Sequence, residues 1–312
     1  MRYFGLILWC ALLPGWSNPA QAASNVLSGG PLYAPQPTVQ RIYFGYQYHF
    51  QARQLENETT SQDGLKIASS LVELGLTMPI FFSEGRTMLA GGLAYRGWQF
   101  IYENYHRTDF LPDALHELRY SISLERRPTA ERSWRIELTP GIVSDFEEIN
   151  GDDFGIEGQL LYNWHSSETV WGLGAAYLDV FGKSLPMPLL QFSRDGETSI
   201  DILLPLHFIL SRELDDGVSL GLQSTITGGR FHLGEDFELP DKRSSLDGRV
   251  EYFLWQADGE IVWHPGAGLE FSLRGGVDLI RRFQINDVNG EGISSLDLKP
   301  GPYLGIELGL RR

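Results

Sequence analysis

The stretch RIYFGYQYHFQAR, residues 41–53, sets Ile42, Phe44, Tyr46, Tyr48, Phe50 and Ala52 on one parity and Arg41, Gly45, Gln47, His49, Gln51 and Arg53 on the other. Side chains alternate between the two faces of a strand, so this is a ribbon with one greasy edge and one polar edge. It also outruns the five or six residues of an ordinary soluble strand, and a tilted membrane crossing needs about 9 to 11. The stretch predicts a strand that crosses a bilayer with its apolar edge on lipid.

The same rhythm returns to the end of the chain, over residues 65–81, 87–103, 115–126, 134–145, 156–164, 170–178, 188–193, 199–212, 218–233, 249–263, 269–285 and 296–310. Each segment is bounded by Gly, Pro, Asn or Asp, and helical periodicity is scarce after residue 38. Residues 199–212 are broken at Pro205, which leaves one strand or a tight hairpin open. Connections alternate between short ones, such as DGE at 195–197 and HPGAG at 264–268, and long polar ones, such as LENETTSQDG at 55–64 and GEDFELPDKRSS at 234–245. RRPTAERS, residues 126–133, is long for a turn. This asymmetry marks outer-membrane barrels, whose chain ends share one side and whose strand number is even. The expected fold is all-β: a closed antiparallel up-and-down transmembrane barrel of 12–14 strands over residues 39–312.

A soluble sandwich alternates too, but with charges turned to solvent. Here the polar parity carries mid-strand charges: Glu117, Arg119 and Glu125; Arg135 and Glu137; Arg249 and Glu251; Glu270, Arg274 and Asp278; Lys299 and Glu307. With the apolar parity on lipid, these face an aqueous interior and pair across neighbouring strands, which leaves at most a narrow channel. Tyr43, Tyr48, Trp98, Tyr102, Tyr105, Trp134, Tyr162, Trp164, Trp171, Tyr252, Trp255 and Trp263 cluster near segment ends, as aromatic girdles do at lipid–water interfaces.

The N-terminus supplies the compartment. Met1-Arg2, the apolar run 3–13 and Ala20-Gln21-Ala22 read as a signal peptide, residues 1–22, cleaved after Ala22. Residues 23–38, rich in Pro, Gly and Ser, read as a flexible lead. The single cysteine, Cys10, falls inside the leader, so the mature chain has no disulfide and no thiolate metal site. The formal charge of −15 excludes a nucleic-acid surface, which needs clustered Lys and Arg.

At LPDALHELRYSISLERR (111–127), LTPGIVSDFEEINGDDFGIEGQLLYNW (138–164), LPMPLLQFSRDGETSIDILLP (185–205) and LDLKPGPYLGIELGLRR (296–312) the sequence resembles an uncharacterised family of Gram-negative outer-membrane β-barrel proteins, a domain of unknown function. The resemblance implies the barrel, the outer membrane, and lipids, lipopolysaccharide and the barrel-assembly machinery as partners. It brings no catalytic residues. The chain departs from the usual outer-membrane ending, because an aromatic last residue is replaced by Arg311-Arg312.

Little chemistry stands out. Residues 145–153, DFEEINGDD, gather Asp145, Glu147, Glu148, Asp152 and Asp153 around Asn150-Gly151. A flexible oxygen-rich loop suits a hard cation, though the spacing is not that of an EF-hand and a solvated acidic loop is the plainer reading. The seven histidines are scattered without metal-ligand spacing, His106 and Asp109 are the one near pair, and no cofactor cradle is present. The expected role is a narrow solute channel, a binding barrel or a membrane-bracing barrel, with small solutes as ligands. The alternative is a lipid-modifying outer-membrane enzyme.

Overall fold

The structure, a computed structural model, describes residues 40–55, 65–83, 86–103, 112–147, 149–179, 185–214, 217–233, 237–238, 244–245, 248–286 and 292–311. Residues 1–22, expected as a signal peptide, and 23–38, expected as a lead, lie outside them. Strands are β1 (Arg41–Arg53), β2 (Lys66–Ser83), β3 (Thr87–Glu103), β4 (Ala114–Thr129), β5 (Arg132–Ser144), β6 (Phe154–His165), β7 (Thr169–Leu178), β8 (Leu185–Arg194), β9 (Thr198–Leu204), β10 (His207–Glu213), β11 (Val218–His232), β12 (Arg249–Gly266) and β13 (Leu269–Asn286), with β14 in two stretches, Gly292–Leu298 and Gly301–Arg311. Each pairs antiparallel with the next, and β14 closes on β1 with Arg41 opposite Arg311. The result is a closed barrel of 14 strands.

Two open points resolve in the turns. RRPTAERS is mostly strand, since β4 runs to Thr129 and β5 starts at Arg132. Residues 199–212 form the β9–β10 hairpin, turned at Pro205-Leu206. At the end of the barrel that holds the chain termini, the tight β12–β13 turn requires glycine at 268. Its φ is +77°, and a Cβ there would sit 2.0 Å from the Arg311 carbonyl oxygen.

The apolar parity faces outward. Phe44, Ile136 and Leu308 stand 40, 38 and 45 % exposed, whereas Glu117 keeps only 2 %. A sheet that turns leucine and phenylalanine to its surroundings and buries its charges is built for lipid, not for water. The register fails locally in β1, where a bulge between His49 and Ala52 swings Ala52 into the interior. The girdle is realised at the termini end, where Tyr162, Trp164, Trp171 and Trp263 are exposed. Trp98 and Tyr252 are instead fully buried inside the barrel, Tyr102 packs against the same interior cluster, and Tyr105 lies outside the described residues. Position near a strand end does not specify face; parity does.

The wall is uneven. Strands β2, β12 and β13 have 18 residues each, but β9 and β10 have 7. At the end away from the termini, Ser144 of β5 and His232 of β11 pair in parallel, and Asp145 N–H donates to the His232 carbonyl at 3.2 Å. Five strands separate β5 from β11 lower down, so β1–β5 and β11–β14 draw together into a nine-strand neck while β6–β10 form a low lobe beside it. Ile226 makes this plain. It shares the outward parity of β11 with Leu220 and Leu222, yet it packs against the inward side chains of the lobe.

Candidate functional site

The interior divides into three zones. The first is a lattice of arginines and carboxylates along β1–β4, β6 and β12–β14. Arg119 joins Glu117 to Glu157 at 3.2 Å, and Arg96 joins Glu73 at 2.9 Å to Glu117 at 3.7 Å. On the other side Arg274 joins Glu260 at 2.8 Å to Glu307 at 2.9 Å, Arg41 joins Glu307 to Glu270 at 3.0 Å, and Arg311 reaches Glu270 at 2.6 Å. His49 and Asp278 add a pair at 2.8 Å. Arginine suits such a lattice because its planar fork engages two carboxylates and stays charged when buried. The sequence places these charges inward correctly. They are buried and joined to one another by ion pairs across neighbouring strands, as the parity predicts.

The second zone fills the neck. Trp98, Phe100, Leu115, Phe231, Tyr252 and Phe283 belong to one dry cluster, with Trp98 and Phe231 ring centroids 5.4 Å apart and Phe100 and Phe283 at 5.1 Å. About eight strands enclose a space that side chains just fill, and a nine-strand neck behaves alike. Arg96 reaches Thr227 of β11 at 3.5 Å just below it. The axial route is therefore closed at this end.

The third zone is the lobe. The inward positions along the middle of β7–β11 are small or neutral: Gly172, Gln191, Ser193, Ser199, Ser211 and Gly221. Asp201 is the acid among them, and His207 Nε2 lies 3.0 Å from it. Nearer the rim, Leu161, Ala176, Leu178, Leu189, Leu203 and Leu206 close on Ile226 and Met187 as an aliphatic seam between lobe and neck. The strand lengths foreshadow this zone, but the parallel contact between β5 and β11 leaves no trace in a period-two pattern.

The acidic loop spans the junction above the seam. Asp153 accepts Asn150 N–H at 2.5 Å and sits 2.9 Å from His232 Nδ1, while Asp145 accepts Glu147 N–H at 3.2 Å and Asp152 is exposed. Glu148 lies outside the described residues. Among the described residues no three His, Cys, Asp or Glu converge as a metal set. The geometry makes Asp153 a clasp that pins the loop to β11. Asp153→Ala removes a hydrogen bond to the buried His232 imidazole, a cost of about 1–3 kcal/mol, and is expected to speed protease cleavage within residues 145–153 while the barrel itself resists.

His106 and Asp109 also lie outside the described residues. Ser133 Oγ and His165 Nε2 meet at 2.8 Å, a pairing across β5 and β6 that sequence spacing hides. Ser133 is fully buried, and no carboxylate hydrogen bond to His165 is found among the described residues, so neither access nor an orienting acid supports a nucleophile.

No curated protein matches the chain. Similar solved structures include the COG4313 outer membrane channel from Pseudomonas putida F1, at 13 % identity over 92 % of this chain and 100 % of that one, TM-score 0.49. The Pseudomonas putida toluene transporter TodX aligns at 9 % identity over 88 % and 90 %, TM-score 0.40, and LpxR from Salmonella typhimurium at 7 % over 86 % and 99 %, TM-score 0.31. Residues 23–311 match the family described as Domain of unknown function (DUF6268), and the chain belongs to that family.

Proposed function

We propose that the protein is a passage for small uncharged, largely apolar solutes in the outer membrane of a Gram-negative bacterium, reached after removal of residues 1–22 and after folding by the barrel-assembly machinery among lipopolysaccharide and phospholipid. One observation carries this reading: the wall drops at β9–β10, beside the aliphatic seam, while the neck is sealed. Seven residues at about 3.3 Å each, tilted by about 40°, rise about 18 Å, short of the roughly 25 Å apolar band of such barrels. The rim at Leu204 and Pro205, both exposed, then lies within the bilayer. A solute partitioned into the bilayer would enter sideways at this rim, part the aliphatic seam and follow the neutral lining of the lobe to the termini end. A charged solute would have to break the arginine–carboxylate lattice, and ions have no axial exit.

The test is uptake of a fluorescent naphthylamine dye by intact cells, paired with planar-bilayer recording of the purified barrel. Cells with the protein are expected to take up dye several-fold faster than cells without it, Ala176→Trp in the seam is expected to abolish the gain, and bilayers are expected to show no ionic steps. Equal dye uptake with and without the protein, or discrete ion currents from the native barrel, would overturn the reading.

A further inference from the structure

The outer wall carries a groove that the passage does not use. It is a cavity of about 780 Å³ across β9–β14, in the range of sites that take small ligands. In register, Leu222 stands beside Gly259, Gly259 beside Gly275, and Gly275 beside Leu304. One row nearer the termini, Arg212 pairs with Leu220, and Ile261 with Leu273. Leu222, Ile261, Leu273 and Leu304 are all at least 50 % exposed on the lipid side, so two glycines form the floor between aliphatic walls.

Neither glycine is demanded by the backbone. No left-handed φ is found at either, and an added Cβ would meet nothing closer than 3.9 Å at Gly259 and 3.3 Å at Gly275. Gly276, next in the chain, is different, since a Cβ there would lie 2.3 Å from the Ala257 carbonyl oxygen. Glycine inside a strand is costly and packs nothing. At 259 and 275 its effect is to keep the groove open.

One end of the groove is charged. Arg212 and Thr198 line it, the Arg212 side chain makes no ion pair among the described residues, and the next outward row holds Trp263 and Phe271, the girdle. That places a free guanidinium at headgroup depth, where it matches a phosphate. A cation at the mouth of an acyl-sized groove complements the phosphate of a lipid head.

We propose that this groove binds one phospholipid from the leaflet at the termini end: phosphate on Arg212, one acyl chain over Gly259 and Gly275. The inference rests on the lipid-facing reading of the exterior but not on the passage. Native mass spectrometry of the detergent-released barrel, offered phosphatidylethanolamine or phosphatidylglycerol, tests it. The expected result is one retained phospholipid of either head per barrel, retention at least tenfold lower in Arg212→Gln and in Gly259→Leu/Gly275→Leu, and dye uptake unchanged in both variants. Equal retention by the variants overturns the site. If the exterior does not face lipid at all, the protein instead stays soluble without detergent and retains neither lipid.

Discussion

Replacing Arg274 with methionine is expected to cost the folded barrel about 3–5 kcal/mol, the usual penalty for removing one partner of a buried charge cluster. Arg274 sits between Glu260 and Glu307, 5 % exposed, and its loss leaves the buried Glu260 carboxylate without its cation, beside a Glu307 that keeps only Arg41. The residue keeps a stem of similar length, so the effect is electrostatic and not a packing loss. The urea midpoint of the heat-modifiable gel band measures it. Adding Glu260→Gln and Glu307→Gln should restore most of the loss, because swapping a whole buried ionic group for neutral residues is often close to neutral. A midpoint shift equivalent to less than about 1 kcal/mol, the scale of a solvated ion pair, would mean that water screens the lattice and that the lumen is wet.

Trp98→Ala is the second large effect, on stability and on transport together. Trp98 is 1 % exposed and packs edge-on against Phe231 at 5.4 Å and Tyr252 at 5.9 Å in the middle of the neck. Truncating a buried tryptophan costs about 3–5 kcal/mol, and the neck cannot collapse onto the void because its strands are fixed by the ladder around them. The void is expected to open the neck along the axis, so discrete ion currents are expected from the variant in planar bilayers, against none from the native barrel. A silent, folded Trp98→Ala barrel would show that the seal lies elsewhere along the axis.

Glu117, Arg119, Glu137, Glu270, Arg274 and Glu307 were legible as interior charges because their parity opposes that of the outward leucines and isoleucines. The individual partners were not, since Arg41 and Glu270 are 229 residues apart and meet only when β1 and β13 both flank β14. Trp98 and Tyr252 misled a reading based on distance from strand ends, whereas their own parity already pointed inward. The cation reading of residues 145–153 rested on composition; what the fold adds there is His232, brought from 79 residues away to hold Asp153.

The sequence by itself determined the barrel, its inside and its outside, because a strand has only two faces and each was written with a different chemistry over fourteen strands. Tertiary structure alone decided that β5 and β11 meet to form a neck, that β6–β10 stand off as a low lobe, and that Gly259 and Gly275 share one groove. Those features depend on where strands stop and which distant ends touch, and an alternating pattern records the face of each residue but not its height in the wall.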